Sequence, residues 1–365
     1  MKDKISFVCI GQAGGNIGEL LAETGYNVLA INTSKEDLNT LKVVPHKYHV
    51  PDGIGCSKDR KEAKRILDAH ITDIVDQIDN YCSEEIIYCV FSAGGGTGSG
   101  FSPDLIDALI GTYVTEDGYS DKKIGVITIL PSDTESPQAK MNAYQCLEEL
   151  SELEDCMCNI FILDNNKTQN IKTLNSQFVD MFTEALSIPS KHKSASGNVD
   201  MAEMIRMITT PGISVISVTS GKTDDRKIIE KIRDGIFAPI NDSPEAKSMS
   251  YMMSSTITPL NYKLFITEFG QYVDEFHTIN QNINIVMLNG LAFPSERLNS
   301  MYSNLKQSTE VIRSNRQRRS STKKMEENAN LLDDLVAPAK ARVRTEQLSG
   351  NSRRSELLNK LKSRR

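Results

Sequence analysis

The chain has 365 residues, enough for two or three domains and more than a single core comfortably fills. Hydrophobic residues make up 39% and 22 glycines add to them, which excludes a wholly disordered chain. The net charge of −6 hides an asymmetry: residues 313–365 carry 15 Lys and Arg against 6 Asp and Glu, a local +9, so the preceding 312 residues carry −15. An acidic body with a basic end argues for two separate tasks and against DNA binding as the whole function. No apolar run approaches the length of a membrane span, and the N-terminal residues pass straight into ISFVCIG, so neither a transmembrane helix nor a secretion signal is expected. Seven Cys without a CxxC pair make neither a disulfide framework nor a zinc site, and reduced thiols in a cytoplasm are the simple reading.

In chain order, residues 5–11 form a buried apolar strand ending in glycine. A helix-like stretch over 17–24 and a strand over 27–31 follow. His46-x-x-His49, between Pro45 and Pro51, reads as a surface loop, and none of the five His has metal spacing. Residues 62–78 place Ile66, Ile71, Ile74, Val75 and Ile78 on one helical stripe. Strands are expected over 86–94, 124–130 and 159–165, with a helix over 103–113 that Pro103 would start. The alternation predicts an α/β fold, a parallel sheet covered on both faces with its ligand site at the carboxyl ends of the strands. Residues 173–186 read as one amphipathic helix ended by Ile188-Pro189, and 190–197 as a loop. A second α/β unit follows: strand 213–218, helix 226–236, strand-like 248–254 and strand 283–288. A helix opens at Ser295. Beyond about Val336 few large apolar residues remain, and the chain reads as disordered.

The chemistry lies in two glycine-rich loops. Gly11-Gln12-Ala13-Gly14-Gly15-Asn16-Ile17-Gly18 follows the first strand, and Gly94-Gly95-Gly96-Thr97-Gly98-Ser99-Gly100 follows the strand ending near Phe91. Glycine at such density is costly in an ordinary element. Removing Cβ atoms lets several backbone N–H groups face one anion, and a following helix N-terminus adds positive potential. Two such loops side by side make a polyphosphate cradle. A Rossmann fingerprint fails, because Ala13 and Asn16 stand where glycines are required and Ile31-Asn32-Thr33 replaces the acidic ribose ligand. A Walker loop fails as well, since Gly221-Lys222-Thr223 lacks its first glycine, the position being Ile216.

The run from Gly94 to Gly100 matches the signature loop of the tubulin/FtsZ superfamily residue for residue. Gly11-Gln12-Ala13-Gly14 resembles the tubulin form of that family's first phosphate loop, and Ile31-Asn32-Thr33 resembles the strand end facing its nucleotide. Gly53-Ile54-Gly55-Cys56-Ser57 sits where the family has its γ-phosphate-sensing loop. The resemblance covers roughly residues 5–293, and the basic tail and divergent middle look most like the plasmid- and phage-borne TubZ branch. It implies a GTP-binding domain over 1–172, a central helix over 173–189, a smaller second α/β domain over 190–294, a C-terminal helix over 295–335 and a basic disordered tail over 336–365.

The resemblance further implies that GTP or GDP is held by Gly11, Gln12, Ala13, Gly14, Asn16, Asn32, Gly55, Cys56, Ser57, Gly94, Gly95, Gly96, Thr97 and Gly98. Mg²⁺ is expected to be held mainly by phosphates and water, with no protein ligand assigned. A carboxylate accepts both N1–H and N2–H of guanine, and an amide serves O6. Asn165 matches the guanine-contacting Asn, and Asp180 falls where the family has its second guanine-reading residue; a solvated helix charge is the plain alternative. Glu135 matches a Pro-x-x-x-Glu spacing near the ribose, or is an ordinary loop acid. In Gly197-Asn198-Val199-Asp200-Met201-Ala202-Glu203, Asn198 is a good N-cap, and Asp200 and Glu203 share one helical face. A capped helix with acids in its first turn explains this plainly. It also resembles the family's catalytic loop, which implies that Asn198, Asp200 and Glu203 complete the GTP site of the next subunit. The partners implied are the chain itself, as a head-to-tail polymer, and a DNA-bound adaptor on the tail for plasmid or phage DNA segregation, with no membrane. A non-polymerising nucleotide switch and a division filament of FtsZ type stay open.

Overall fold

The computed structural model describes residues 1–319 apart from 115–119, 169, 195–196, 241–246 and 281, and the backbone alone over 315–319. The first half alternates strictly: β1 (Ile5–Ile10), α1 (Gly11–Glu23), β2 (Asn27–Asn32), α2 (Lys35–Thr40), β3 (His46–His49), α3 (Arg60–Tyr81), β4 (Ile86–Ser92), α4 (Thr97–Tyr113), β5 (Lys123–Leu130), α5 (Pro137–Ser151) and β6 (Asn159–Asp164). Three helices follow, α6 (Ile171–Leu186), the short α7 (Ile188–Lys191) and α8 (Met201–Thr209). The second half holds β7 (Gly212–Ser220), α9 (Asp225–Arg233), β8 (Tyr251–Thr256), α10 (Tyr262–Phe269), β9 (Asp274–Ile279), β10 (Ile283–Leu291) and α11 (Ser295–Arg319).

Among the described residues ten strands form one sheet in the order β3-β2-β1-β4-β5-β6-β7-β10-β8-β9. The strands from β3 to β7 pair in parallel, whereas β10 runs antiparallel to both β7 and β8. The expected α/β class with a dominant parallel sheet is what the chain adopts. Every residue of β1 and β6 is buried, as sandwiching between helix layers requires. The two halves meet at a narrow seam, where β6 pairs with β7 through Asn159–Gly212 and Ile160–Ile213. Aromatic packing reinforces it: Phe178 and Phe182 of α6 lie 5.7 and 5.6 Å from Phe161, and Phe237 of the second half lies 6.2 Å from Phe178.

Several boundaries differ from the sequence reading, each for a local reason. The glycine loops are not separate from their helices: α1 starts at Gly11 and α4 at Thr97, so Pro103 lies inside α4 rather than at its start. The His46–His49 segment is not a loop but an edge strand, paired with β2 from Leu29–His46 to Asn32–His49. Pro tolerates such flanking positions because it need not donate at the strand ends. Pro189 does not simply end the central helix; it opens the separate turn α7, where a missing N–H costs nothing. Elements α2, α5, α10 and β9 were not legible as such. The expected C-terminal helix is present to Arg319, and its remainder and the tail over 336–365 lie outside the described residues. Among the described residues no helix is long and apolar enough to cross a membrane.

Candidate functional site

A cavity of about 370 Å³ opens at the carboxyl ends of β1, β2 and β4. Two helices begin there, and neither carries a side-chain N-cap or an acid in its first turn. Elsewhere α2, α3, α5, α6, α8 and α9 are all capped by a side chain. The first N–H groups of α1 and α4 are thus left for whatever occupies the cavity, and each helix dipole presents its positive end there. An anion is the complement of this geometry.

The glycines do different jobs. Gly11 has φ +73°, and a Cβ on it would meet Gly98 N at 3.3 Å, so the two loops touch backbone to backbone. A Cβ on Gly14 would lie 2.2 Å from the Val90 carbonyl, and one on Gly100 would lie 2.5 Å from Ala63 Cβ. These two serve helix packing, not the cavity. Gly96 admits the 55–58 loop, since its Cβ would be 2.8 Å from Lys58 N. Ser57 and Lys58 hold left-handed backbone angles of 44° and 65°, rare for residues with side chains. Buried Asn142 secures this: its Nδ2 donates to Lys58 O at 2.9 Å and to Gly95 O at 2.8 Å, clamping both loops from α5.

Of the sequence-predicted residues, Gly11, Gln12, Ala13, Asn32, Gly55, Cys56, Ser57, Gly94, Gly95, Gly96, Thr97, Gly98 and Glu135 line the cavity together. Gly14 lies buried behind it and Asn16 is exposed on α1. Asn165 stands behind Glu135, its Nδ2 donating to Glu135 Oε1 at 3.1 Å while its Oδ1 is buried without a partner. Asp180 faces solvent on α6. On the buried face of the same helix sits Asn175, whose Oδ1 also lacks a partner. The sequence signal for it was present but weak, a polar residue inside the apolar stripe of an amphipathic helix.

The chain also brings in Asp37, Lys58 and Arg297, which carried no signal in the sequence. Asp37 lines the cavity, accepting from Gln12 Nε2 at 3.3 Å and from Asn32 Nδ2 at 3.2 Å. Among the lining residues Lys58 is the single cation, its Nζ donating to Ser136 Oγ at 3.3 Å. Thr33 and Thr97 hydroxyls join the two sides at 2.8 Å. Arg297, buried in the first turn of α11, is held charged: burial opposes its charge, but hydrogen bonds to Asp164 and the charges of Asp164 and Asp133 outweigh that and raise its pKa.

Asn198, Asp200 and Glu203 do not line this cavity. The crossover from β6 to its parallel neighbour β7 must return the chain to the edge where the strands start, opposite the cavity, and all three residues lie on that return. The N-cap of α8 is Asp200 and not Asn198. Asp200 Oδ1 accepts from Glu203 N at 2.8 Å, and Glu203 Oε2 accepts from Asp200 N at 2.9 Å, a complete capping box. Asn198 instead turns back, its Oδ1 accepting from Ser194 N at 2.6 Å.

Residues 4–173 match the model of the Tubulin/FtsZ family GTPase domain. The chain is 33% identical over 297 residues to the tubulin-like protein TubZ of Clostridium botulinum C phage, covering 80% of each. The solved structure of Clostridium botulinum phage c-st TubZ superposes with a TM-score of 0.76 at 28% identity, over 85% of this chain and 99% of that one. A GTPγS-form protofilament of TubZ from Bacillus thuringiensis serovar israelensis superposes with a TM-score of 0.72 at 18% identity, over 87% and 94%.

Proposed function

The chain belongs to the tubulin/FtsZ family, and from that premise we propose that it is a GTPase that polymerises head to tail into cytoskeletal filaments. One observation carries the reading most directly: two uncapped helix N-termini, joined backbone to backbone at Gly11 and Gly98, face one cavity. They fit a polyphosphate whose charge the N–H groups share, with Lys58 adding a cation at its rim. Asn165 and Asn175 each keep an amide oxygen without a partner, an acceptor of the kind that the N1–H and N2–H donors of guanine require, while Asp180 stands exposed on α6. Glu135 lines the cavity and accepts from Asn165, which supports reading it as the acceptor for a ribose hydroxyl.

Mg²⁺ fits this site through phosphates and water. Among the described residues no three His, Cys, Asp or Glu cluster as a metal cage, and Asp37 and Glu135 are the carboxylates in the cavity wall. When bound it supplies charge neutralisation on the transferred phosphoryl group.

Because Asp200 and Glu203 sit away from the cavity of their own chain, they act on the cavity of the next subunit, where they orient the attacking water. The capping box engages one oxygen of each carboxylate and holds both in a fixed relation. Hydrolysis is then slow in the monomer and switched on by assembly, through a contact that repeats without closing. In the protofilament of Bacillus thuringiensis TubZ the same fold stands in a repeating array. The basic tail would recruit a DNA-bound adaptor in the cytoplasm, so that the filament moves a plasmid or phage genome.

Pelleting in GTP, GDP and a slowly hydrolysed GTP analogue tests the whole. Filaments are expected in GTP and should persist in the analogue. Equal pelleting in ATP would refute the guanine assignment, and GTP binding without any pelleting would leave a non-polymerising switch.

A further inference from the structure

The walls of the cavity are tied to a helix that does not line it. Arg297 of α11 is 7% exposed. Its Nε donates to Asp164 Oδ2 at 2.8 Å, its Nη2 to Asp164 Oδ1 at 3.2 Å and to the Pro131 carbonyl at 3.0 Å, and its Nη1 to Asp133 Oδ1 at 3.2 Å. Asp164 is 1% exposed and directly precedes Asn165. Asp133 meets Asn166 twice, its N–H donating to Asn166 Oδ1 at 2.7 Å and its Oδ2 accepting from Asn166 Nδ2 at 2.8 Å. The guanidinium therefore joins the 131–135 loop to the end of β6, the two segments whose side chains Glu135 and Asn165 meet at 3.1 Å. A planar fork with a permanent charge suits this arrangement of four acceptor atoms on three residues, and a lysine ammonium does not.

We propose that Arg297 is a positioning residue for the nucleotide, setting Glu135 and Asn165 in register and making the docking of α11 a condition of tight binding. This rests on the guanine-nucleotide reading above. Tyr302 of α11 stacks on Tyr144 of α5 at 4.9 Å, so the helix leaving the site is seated on the element that also carries Asn142. By linkage, nucleotide must strengthen the docking of α11 by the factor with which docking strengthens nucleotide binding.

The test uses the full-length chain, with GDP as the probe so that polymerisation does not intervene. Calorimetric titration should find GDP binding weakened roughly ten- to a hundred-fold in Arg297→Met, the scale of lost hydrogen bonds to a buried charge. Arg297→Lys should recover only part of the loss, and KM for GTP should change more than kcat. In the unaltered protein, GDP should slow hydrogen exchange at the amides of residues 297–305. A folded Arg297→Met chain that binds GDP as the unaltered protein does would overturn the proposal. Should that variant not fold, exchange decides alone: α11 amides indifferent to GDP would overturn it equally. Failure of the unaltered protein to bind GDP at all would instead sink the guanine-nucleotide reading, and this proposal with it.

Discussion

Glu203 and Asp200 each have a structural duty and a proposed chemical one, and the capping box allows the two to be separated. Gln at 203 keeps an acceptor for the Asp200 N–H, and Ser at 200 keeps a cap for α8. Asp200→Ala removes the cap as well and should cost about 1 kcal/mol of stability. Glu203→Gln and Asp200→Ser should therefore melt near the unaltered protein and bind GTP normally as monomers. Their turnover in filaments should fall by roughly 10²–10⁴-fold, the usual weight of a group that handles the proton or the water. Phosphate-release assays check this, and a two-fold loss would reduce both acids to helix caps. Asn142 makes a different prediction, because its amide bridges Lys58 O and Gly95 O without lining the cavity. Asn142→Ala frees a left-handed loop to relax, and GDP affinity should fall about ten-fold by lost hydrogen bonding. Unchanged affinity in a titration would mean that the loop is held by other contacts.

At the scale of elements, α3, α4 and α5 are locked behind the second glycine loop by a charged cluster. Arg60, the first residue of α3, donates from Nε and Nη2 to the Ser99 carbonyl at 3.2 and 2.9 Å, and from Nη2 to Glu149 Oε2 at 2.5 Å. Lys64 reaches Glu149 Oε1 at 3.2 Å and Asp104 at 3.3 Å. Burial pushes the Glu149 carboxyl up, but the charges of Arg60 and Lys64 and their hydrogen bonds outweigh it and hold its pKa below the ordinary 4.5. A carboxyl depressed on folding stabilises the native state above its unfolded pKa and loses that contribution as pH falls through the folded value. Urea melts should therefore show a decline in stability below about pH 4.5 that is shallower in Glu149→Gln. The same variant should be less stable at pH 7 by about 2–3 kcal/mol, since it leaves Arg60 buried beside a weaker partner. Parallel stability–pH curves for the two proteins would count against the assignment. The apolar stripes of α3 and α6 were readable because each helix buries one face. The short α2 and α10 were not, because their amphipathic pattern is too brief to separate from loop.

At the scale of the molecule, one sheet runs through both halves, which join at a narrow seam where β6 pairs with β7 at two positions and Leu163 bridges Phe237. That seam, with α6 packed across it, is where a 1–172 unit, a central helix and a 190–294 unit would divide. The basic end is the other molecular feature, +9 on a body of −15. Deleting residues 342–365 should spare GTP hydrolysis and pelleting while abolishing capture of an adaptor–DNA complex in a co-pelleting assay. Lost polymerisation would place the tail in the filament contact, and a tail that binds any DNA with a steep salt dependence would point to phosphate neutralisation. The fold class and the family were legible in the chain alone, because the Gly94 to Gly100 run answers local needs: an uncapped helix start with free backbone N–H groups, and close approach at Gly96 and Gly98. Those needs write themselves into residue type. Three features became visible in the folded chain alone: Asn175 and not Asp180 turns inward on α6, Asp200 and not Asn198 caps α8, and Arg297 reaches Asp164 from 133 residues away. Each of these depends on which face an element presents and on contacts distant along the chain, and neither is carried by the spacing of residues within a motif.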